Sequence, residues 1–389
     1  MTGAVPISGL GCICGAGGDL EACVDSMLLG GRAPAPPRRF ASSHPLVYPV
    51  FEVAGLAETG AILRTGTLLL QAARAALDDA GLGPELAALR VGACIGTTVG
   101  SALNDEGFCR EWRAGARPSM APMERILRSN PAALLARTFG FSGPCQTVVN
   151  ACSSGTDAVG LGASWIRAGL CDLVLAGGAD ELSRITYNGF ISMRICAPGA
   201  CRPFDRERQG LNLGEGAAVL VLEDPERLRR RRARARAFVL GYGASCDAHH
   251  PTAPSPDGAG LERALGEALA GLPEGGIAFV NAHGTATPDN DRVEAQVLAR
   301  TLPGVPFLST KGYTGHALGA AGAIEAAFTV ACLERGRVPA SAGFASADAE
   351  LGAQPVRVAT ALRGSLALSQ SLAFGGNNAV LALGLEARP

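Results

Sequence analysis

Lysine is almost absent from this chain. Of the 34 lysine and arginine residues among its 389 residues, only Lys311 is a lysine. Arginine replaces lysine readily on a solvated surface, but not where a compact charge with an adjustable pKa is needed. His316 follows five residues later in the same glycine-rich segment. This neighbourhood favours an active site over the chance survival of one lysine.

The chain also lacks long apolar runs, a basic leader, paired cysteines and appreciable net charge. No run of about 18 apolar residues predicts a membrane span, and no basic segment precedes the first apolar stretch. The twelve cysteines form no CxxC pair or zinc pattern, so we expect mostly buried free thiols in a reducing cytoplasm. The net charge of −1 gives no general attraction to nucleic acid.

Short apolar strands alternate with alanine-rich helices. Residues 91–95 and 172–176 are typical of buried strands, and residues 68–80 have helical periodicity and end at Gly81. This alternation predicts an α/β protein with a largely parallel sheet.

The sequence repeats itself in a fixed order. A strand followed by Gly-Thr occurs at 95–97 and at 283–285, and similar strands occur at 214–222 and 375–383. We therefore predict two homologous halves, residues 1–236 and 237–389. The seven arginines within 227–236 are either a site for an acidic partner or part of a solvated helix that joins the halves. The joining helix is the favoured interpretation.

Cys152 is predicted to lie at a strand-to-helix junction. Apolar residues precede it, and a helix-compatible run begins at residue 156. The helix dipole supplies at most about 2 kcal/mol toward the thiolate, which is about one pKa unit. A nearby imidazole or further donors would have to supply the rest. The alternative is one more core cysteine.

Two histidines and a carboxylate accompany the lysine. His283 follows an apolar strand and precedes Gly-Thr, where it is either a site residue or a helix cap. A cation near His316 would keep its imidazole neutral, able to donate a hydrogen bond to an oxyanion. Glu325, 14 residues beyond Lys311, either pairs with the ammonium or is a solvated helix residue.

Phe374 precedes two glycines. The turn either presents a backbone N–H to the site or is a simple hairpin with a core phenylalanine. The glycine-rich stretch at 9–14 lacks the third glycine of a dinucleotide fingerprint, so no nicotinamide cofactor is expected.

Taken together, these segments resemble the β-ketoacyl synthases, the elongating condensing enzymes of the thiolase fold. Residues 201–205 (Cys-Arg-Pro-Phe-Asp) and 214–216 (Gly-Glu-Gly) also match that family. The resemblance implies a thiolase fold, with two duplicated α/β halves in a layered αβαβα arrangement. It also implies an acyltransferase, a 3-oxoacyl-[acyl-carrier-protein] synthase without metal or cofactor.

The resemblance assigns roles to the singled-out residues. Cys152 would accept an acyl group, with its own backbone N–H and that of Phe374 as oxyanion hole. His283 and His316 would bind the thioester carbonyl of a malonyl extender. Lys311 and Glu325 would orient and tune His316. Phe374 would also act as a gate.

The resemblance further implies an acidic acyl carrier protein as partner. Arg125, Arg128 and Arg194 are the expected docking residues. The alternative is that each is an ordinary surface arginine. We expect a homodimer, or a heterodimer with a subunit similar to a chain-length factor. Departures from the family pattern at residues 150, 209, 372 and 373 fit a specialised type II polyketide or aryl polyene system better than housekeeping fatty acid synthesis, and the pathway stays open between them. The alternatives are a non-elongating acyltransferase of the same fold, or a scaffold subunit.

Overall fold

The computed structural model describes residues 3–57, 60–83, 86, 88–98, 105–273 and 275–387. In chain order, its strands are β1 Val5–Cys14, β2 Val91–Gly96, β3 Cys145–Val148, β4 Leu173–Asp180, β5 Gly216–Glu223, β6 Ala237–Cys246, β7 Ile277–Asn281, β8 Phe307–Leu308, β9 Arg337–Val338, β10 Thr360–Ala361, β11 Leu366–Ala373 and β12 Asn377–Gly384.

The α-helices of the described residues lie between these strands. They are α1 Leu20–Leu28, α2 Arg64–Asp79, α3 Glu106–Arg113, α4 Ala121–Arg128, α5 Pro131–Phe139, α6 Ser154–Arg167, α7 Arg184–Ser192, α8 Pro225–Arg230, α9 Ala259–Leu269, α10 Pro288–Thr301, α11 Lys311–Thr314 and α12 Ala321–Glu334. Among the described residues, no helix is long and apolar enough to cross a membrane.

The main sheet has the order β3-β2-β4-β5-β1-β6-β12-β11-β7-β8. Read inward from either edge, the strands of each half come in the same order: third, second, fourth, fifth and first. The strand directions also repeat, because β2 and β7 each lie between two parallel neighbours. The predicted duplication is therefore confirmed. The boundary at residues 236 and 237 stays a prediction.

The sheet is mixed, so the expectation of a largely parallel sheet is wrong. The pairs β1–β5, β1–β6, β4–β5, β6–β12 and β11–β12 are antiparallel. In each half the fourth and fifth strands are antiparallel neighbours, and β11 and β12 are joined by the short turn at 374–376. Alternation of strands and helices along the sequence does not reveal these reversals.

Glycines let the outer helices approach the two central strands. A Cβ on Gly9 or Gly11 of β1 would lie 2.2 or 2.0 Å from backbone oxygens of α2. Gly241 and Gly243 of β6 meet α9 in the same way, at 1.9 and 2.1 Å. No L side chain fits at such distances, so the absence of Cβ sets the spacing between helix and sheet.

Two helices fill the space between the halves of the sheet. Helix α12 is buried from Ala321 to Leu333 and contacts β4 and β5 on one side and β11 and β12 on the other. A helix that is apolar all round is typical of such a central layer. Helix α6 packs beside it, and α2 and α9 cover the outer faces. This is the predicted αβαβα arrangement.

The arginine-rich segment is a connector. Arg227 and Arg231 pair with the buried Glu223, and Arg236 pairs with Asp79 and Glu334. These contacts use carboxylates of the chain itself and favour the joining-helix interpretation over a site for an acidic partner.

Candidate active site

Cys152 lies at the junction of β3 and α6, in a turn of 3-10 helix. Its side chain is buried. The preceding residue, Ala151, has a φ of +49°, which a non-glycine residue adopts only when its surroundings impose it. The hydroxyls of Ser154 and Thr98 donate to the Ala151 carbonyl at 2.6 and 3.2 Å and hold this conformation.

Both histidines meet the thiol. His283 lies just beyond the carboxyl end of β7, and His316 follows the short helix α11. The Nε2 atom of His316 lies 3.1 Å from Sγ of Cys152. The two imidazole rings are 5.3 Å apart and nearly perpendicular. One ligand-type atom from each of the three side chains lies within 4.8 Å of the others, and all three residues are buried.

The hydrogen bonds fix where each ring carries its proton. Nδ1 of His316 accepts the Leu318 N–H at 3.3 Å, and Nδ1 of His283 lies 3.1 Å from the Lys311 ammonium. Because a backbone N–H and an ammonium can only donate, the Nδ1 atoms of both histidines are acceptors. Each neutral ring therefore carries its proton on Nε2.

Burial, followed by the charge of Lys311, lowers the pKa of both imidazoles well below its usual value. For His283, the neighbouring His316 lowers the pKa further. Both rings are therefore neutral at neutral pH, which agrees with the expectation that a cation would keep His316 uncharged.

Lys311 contacts His283 rather than His316. Its Nζ donates to the His283 carbonyl at 2.7 Å and pairs with Oε1 of Glu325 at 2.5 Å. Lys311 and Glu325 are both buried, so the interpretation of Glu325 as a solvated helix residue is wrong. The expectation that Lys311 orients His316 is also wrong, because Lys311 reaches His316 only through its charge.

The resting sulfur is a thiol. Burial raises the pKa of Cys152 to about 11, although the charge of Lys311 and the Phe374 N–H lower it. The helix dipole considered from the sequence does not offset this cost of burial. The chemistry must therefore start from a neutral Cys152 beside neutral imidazoles.

Phe374 belongs to the turn between β11 and β12, and its ring is half-buried and lines the cavity, so the interpretation of it as a core phenylalanine is wrong. Gly375 and Gly376 have φ values of +86° and +79°. The Phe374 N–H points to the sulfur of Cys152, and the half-buried ring stacks on Phe190 at 5.7 Å.

Lys311 makes stability depend on pH in a testable way. Burial raises the pKa of Glu325 to about 7, and the charge of Lys311 and its hydrogen bond oppose part of that rise. In Lys311→Met this pKa should rise further. A carboxyl with a raised folded pKa loses its stabilising contribution as the pH rises from the unfolded to the folded value. Relative to the wild-type protein, we expect the loss in unfolding free energy to grow above about pH 7, where Glu325 ionises in the wild type but not yet in the variant, reaching roughly 3–5 kcal/mol.

Urea denaturation at several pH values measures this effect. The double variant Lys311→Met/Glu325→Gln lacks the titrating carboxyl and should lose the extra pH dependence. Equal slopes in the single and double variants would show that Glu325 is not the group responsible.

Two family models match the chain. The description of one is Beta-ketoacyl synthase, N-terminal domain, matching residues 49–227, and that of the other is Beta-ketoacyl synthase, C-terminal domain, matching residues 236–345. The chain belongs to the β-ketoacyl synthase family.

Relatives in sequence and in structure cover most of this chain. A 3-oxoacyl-[acyl-carrier-protein] synthase 2 of Synechocystis sp. is 34% identical over 80% of this chain and 79% of its own. Nodulation protein E of a Rhizobium species is 34% identical over 97% of this chain and 98% of its own. A solved structure described as the ishigamide ketosynthase/chain length factor has a TM-score of 0.93 and 32% identity, covering 99% of each chain.

Sequence reasoning missed a carboxylate that links the two key turns of this synthase. Asp180 is buried at the end of β4, and its Oδ2 accepts the N–H groups of Thr98 and Gly319 at 2.8 and 2.7 Å. Thr98 in turn holds the strained Ala151, and Gly319 belongs to the turn after His316. Asp180 thus fixes both turns. A carboxylate ending an apolar strand is the signal that points to it.

Glu294 was missed as well. Its carboxylate accepts the N–H groups of His283 and Gly284 at 2.6 and 2.7 Å and a bond from Gln370 at 2.7 Å. Burial raises the pKa of Glu294, and these donors lower it. The carboxylate fixes the backbone that carries His283. Glu294 lies in α10, 11 residues after His283, and no sequence pattern marks it as a partner of that histidine.

The predicted docking arginines lie in separate segments. Arg194 is exposed between Met193 and Ile195, two residues that line the cavity above Cys152. Arg125 and Arg128 lie in the last turn of α4, half-buried and exposed respectively. Of the described residues that line the cavity, none belongs to α4.

Proposed function

We propose that this synthase joins an acyl chain held on Cys152 to a malonyl group carried by an acyl carrier protein, with loss of CO2. One observation carries the proposal. The Phe374 N–H and the protonated Nε2 of His316 both reach the sulfur of Cys152, and Nε2 of His283 carries the other ring proton beside them. Such fixed donors stabilise oxyanions without being consumed as acids.

In the first step, the sulfur of Cys152 attacks the thioester carbonyl of the acyl carrier. The Phe374 N–H and the backbone N–H of Cys152 are the proposed donors to the oxyanion. The carbon–sulfur bond to the carrier breaks, and the thiol proton of Cys152 leaves with the carrier sulfur. The products are acyl-Cys152 and a free carrier thiol.

In the second step, the malonyl thioester carbonyl lies between the two imidazoles and accepts a hydrogen bond from the Nε2 proton of each. The carboxylate leaves as CO2, and its bonding electrons become an enolate. His283 and His316 donate their Nε2 protons as hydrogen bonds to the enolate oxygen. A cationic ring would protonate the enolate, whereas a neutral ring stabilises it, which is why the lowered pKa of both histidines matters.

In the third step, the enolate carbon attacks the acyl-Cys152 carbonyl and forms the carbon–carbon bond. The tetrahedral oxyanion collapses and releases the sulfur of Cys152. That sulfur takes up one proton from solvent, in keeping with its raised pKa. A 3-oxoacyl thioester remains on the carrier.

Phe374 is the proposed gate. Its ring stacks on Phe190 across the cavity that Cys152 lines. Asp247 anchors the turn: its N–H donates to the Gly376 carbonyl, and its carboxylate accepts from Asn378, both at 2.8 Å. Because only a few hydrogen bonds hold this turn and its two glycines are conformationally free, we propose that it opens when the acyl chain is loaded onto Cys152.

The proposed carrier docks on Arg194, Arg125 and Arg128. The position of Arg194 between two cavity-lining residues is the most direct support for this docking surface.

Arg194→Glu should raise the KM for carrier-bound substrate by roughly threefold to tenfold, because it reverses a charge at the rim of an electrostatically guided interface. Acylation by a small thioester should be unchanged. Steady-state kinetics with both substrates measure the difference, with Arg357→Glu as a matched exposed control. An equal loss with both substrates would exclude docking at Arg194.

A second subunit is proposed to pair with the first half. Strand β3 forms one edge of the sheet, and Val149 beside it is 61% exposed. Trp112 and Leu127, on α3 and α4, are 64% and 78% exposed. An open strand edge with large apolar side chains nearby is typical of a surface covered in an assembly. The partner is a second copy or a subunit similar to a chain-length factor.

The pathway is proposed to be a type II system, for a fatty acid, a polyketide or an aryl polyene. The solved ketosynthase structures whose descriptions include a chain length factor support the specialised pathways. A cytoplasmic location remains part of the proposal and agrees with the free cysteines of the described residues.

Mass spectrometry of products tests the proposal. The protein is incubated with malonyl carrier and with acetyl, medium-chain or polyenoyl carriers, alone and with a candidate partner subunit. We expect a carrier-bound product longer by two carbons and stoichiometric CO2. Acyl exchange without elongation would identify the non-elongating acyltransferase, and no turnover with any primer or partner would identify the scaffold.

A further inference from the structure

We propose that Cys12, Cys14 and Cys23 form a binding site for a thiophilic trivalent ion, of which arsenic(III) is the test case. The site is independent of the proposed function. The three thiols are buried, and one sulfur from each lies within 4.8 Å of the other two. None of the three takes part in the chemistry described above.

Local structure brings these sulfurs together. Cys12 and Cys14 are two residues apart on β1, so their side chains point to the same face of the sheet. Cys23 lies in α1, which covers that face. A Cβ on Gly17 would lie 2.7 Å from the Cys23 backbone nitrogen, so this glycine allows the helix to return closely over the strand. The resulting distance between the sulfurs of Cys14 and Cys23 is 3.5 Å.

The spacing suits one ion with three sulfur ligands. Protein thiolates bind ions such as zinc at about 2.3 Å, which would put the sulfurs of a planar three-ligand site about 4.0 Å apart. The lone pair of arsenic(III) makes its three-sulfur site pyramidal, so the sulfurs lie closer together than that. The observed 3.5 Å between the sulfurs of Cys14 and Cys23 fits such a site, and all three sulfurs lie within 4.8 Å of one another. An all-sulfur ligand set selects soft, thiophilic ions over hard ones.

Charge decides among the soft ions. The cysteines belong to an apolar cluster with Val24, Met27 and other buried residues. Three thiolates around a monovalent or divalent ion would leave net negative charge there, which is costly in an apolar environment. With a trivalent ion the complex is neutral.

Arsenous acid supplies such an ion without any change of oxidation state. Three S–H bonds and three As–O bonds break, and three As–S bonds form. Each thiol proton leaves with one hydroxyl group as water, so As(OH)3 and three thiols give As(SR)3 and three waters. Access is through the turn at 15–18, where Gly18 is exposed.

The experiment uses the full-length Cys152→Ala protein, because Cys152 with the two histidines is a second possible ligand set. The reduced protein is incubated with arsenous acid, desalted and analysed for arsenic and by native mass spectrometry. We expect one arsenic per chain, with the loss of three hydrogens. Adding Cys14→Ala should weaken retention by more than about tenfold. Adding Cys332→Ala, which removes a buried cysteine of α12, should leave it unchanged.

The proposal is overturned if folded Cys152→Ala protein retains no arsenic, or if Cys14→Ala and Cys332→Ala behave alike. If the Cys14 variant does not fold, the thermal midpoint of the Cys152→Ala protein decides. It should rise with arsenous acid and rise less with zinc at equal concentration, because a ligand that binds only the folded state stabilises it. No rise with arsenous acid, or a larger rise with zinc, would contradict the proposed site.

Discussion

Replacing Cys152 with alanine should abolish condensation, lowering its rate by more than about 10⁴-fold, because no other group can hold the acyl chain beside the enolate. Release of CO2 from the malonyl carrier should continue, since His283 and His316 keep their Nε2 donors. Product mass spectrometry and CO2 release, measured together, separate the two steps.

Cys332→Ala is the matched control for Cys152→Ala. Burial raises the pKa of Cys332 to about 12, much as burial raises that of Cys152, but Cys332 lies on α12 and outside the cavity. Its replacement should leave condensation intact. Condensation that survives in Cys152→Ala would contradict the assignment of the nucleophile.

Replacing His283 with alanine should lower the rates of decarboxylation and condensation by about 10²–10³-fold, the usual effect of removing one oxyanion donor. Transfer of the acyl group to Cys152 should be spared, because the Phe374 N–H contacts the sulfur independently of His283. Rapid-quench mass spectrometry follows acylation, and CO2 release follows decarboxylation.

His283→Gln separates hydrogen bonding from general damage to the fold. A glutamine amide can still donate, so this variant should recover part of the lost decarboxylation. The donor role is wrong if glutamine and alanine are equally impaired, or if acylation falls as much as decarboxylation.

The sequence was sufficient to single out the residues that meet at the site. Cys152 and His283 follow strands, His316 follows a short helix, and Lys311 stands out because lysine is otherwise absent. The duplication could be read as well, because the strands repeat in order. Such patterns are local in sequence and can be recognised without knowledge of the packing.

The contacts that orient these residues could not be predicted in the same way. Lys311 was expected beside His316, its neighbour in sequence, but the parallel pairing of β7 and β8 brings it to His283. Asp180 reaches Gly319 across 139 residues. The first contact depends on strand pairing within the second half and the second contact on how the two halves of the sheet face each other, and no local pattern encodes either.

The protonation of the two rings is the central claim, and NMR of protein labelled with ¹⁵N in its histidines measures it directly. Only five histidines are present, and variants of His283 and His316 assign their signals. Both rings should remain neutral, with the proton on Nε2, from about pH 5 to about pH 8. An imidazolium at neutral pH, or a proton on Nδ1 of either ring, would contradict the account.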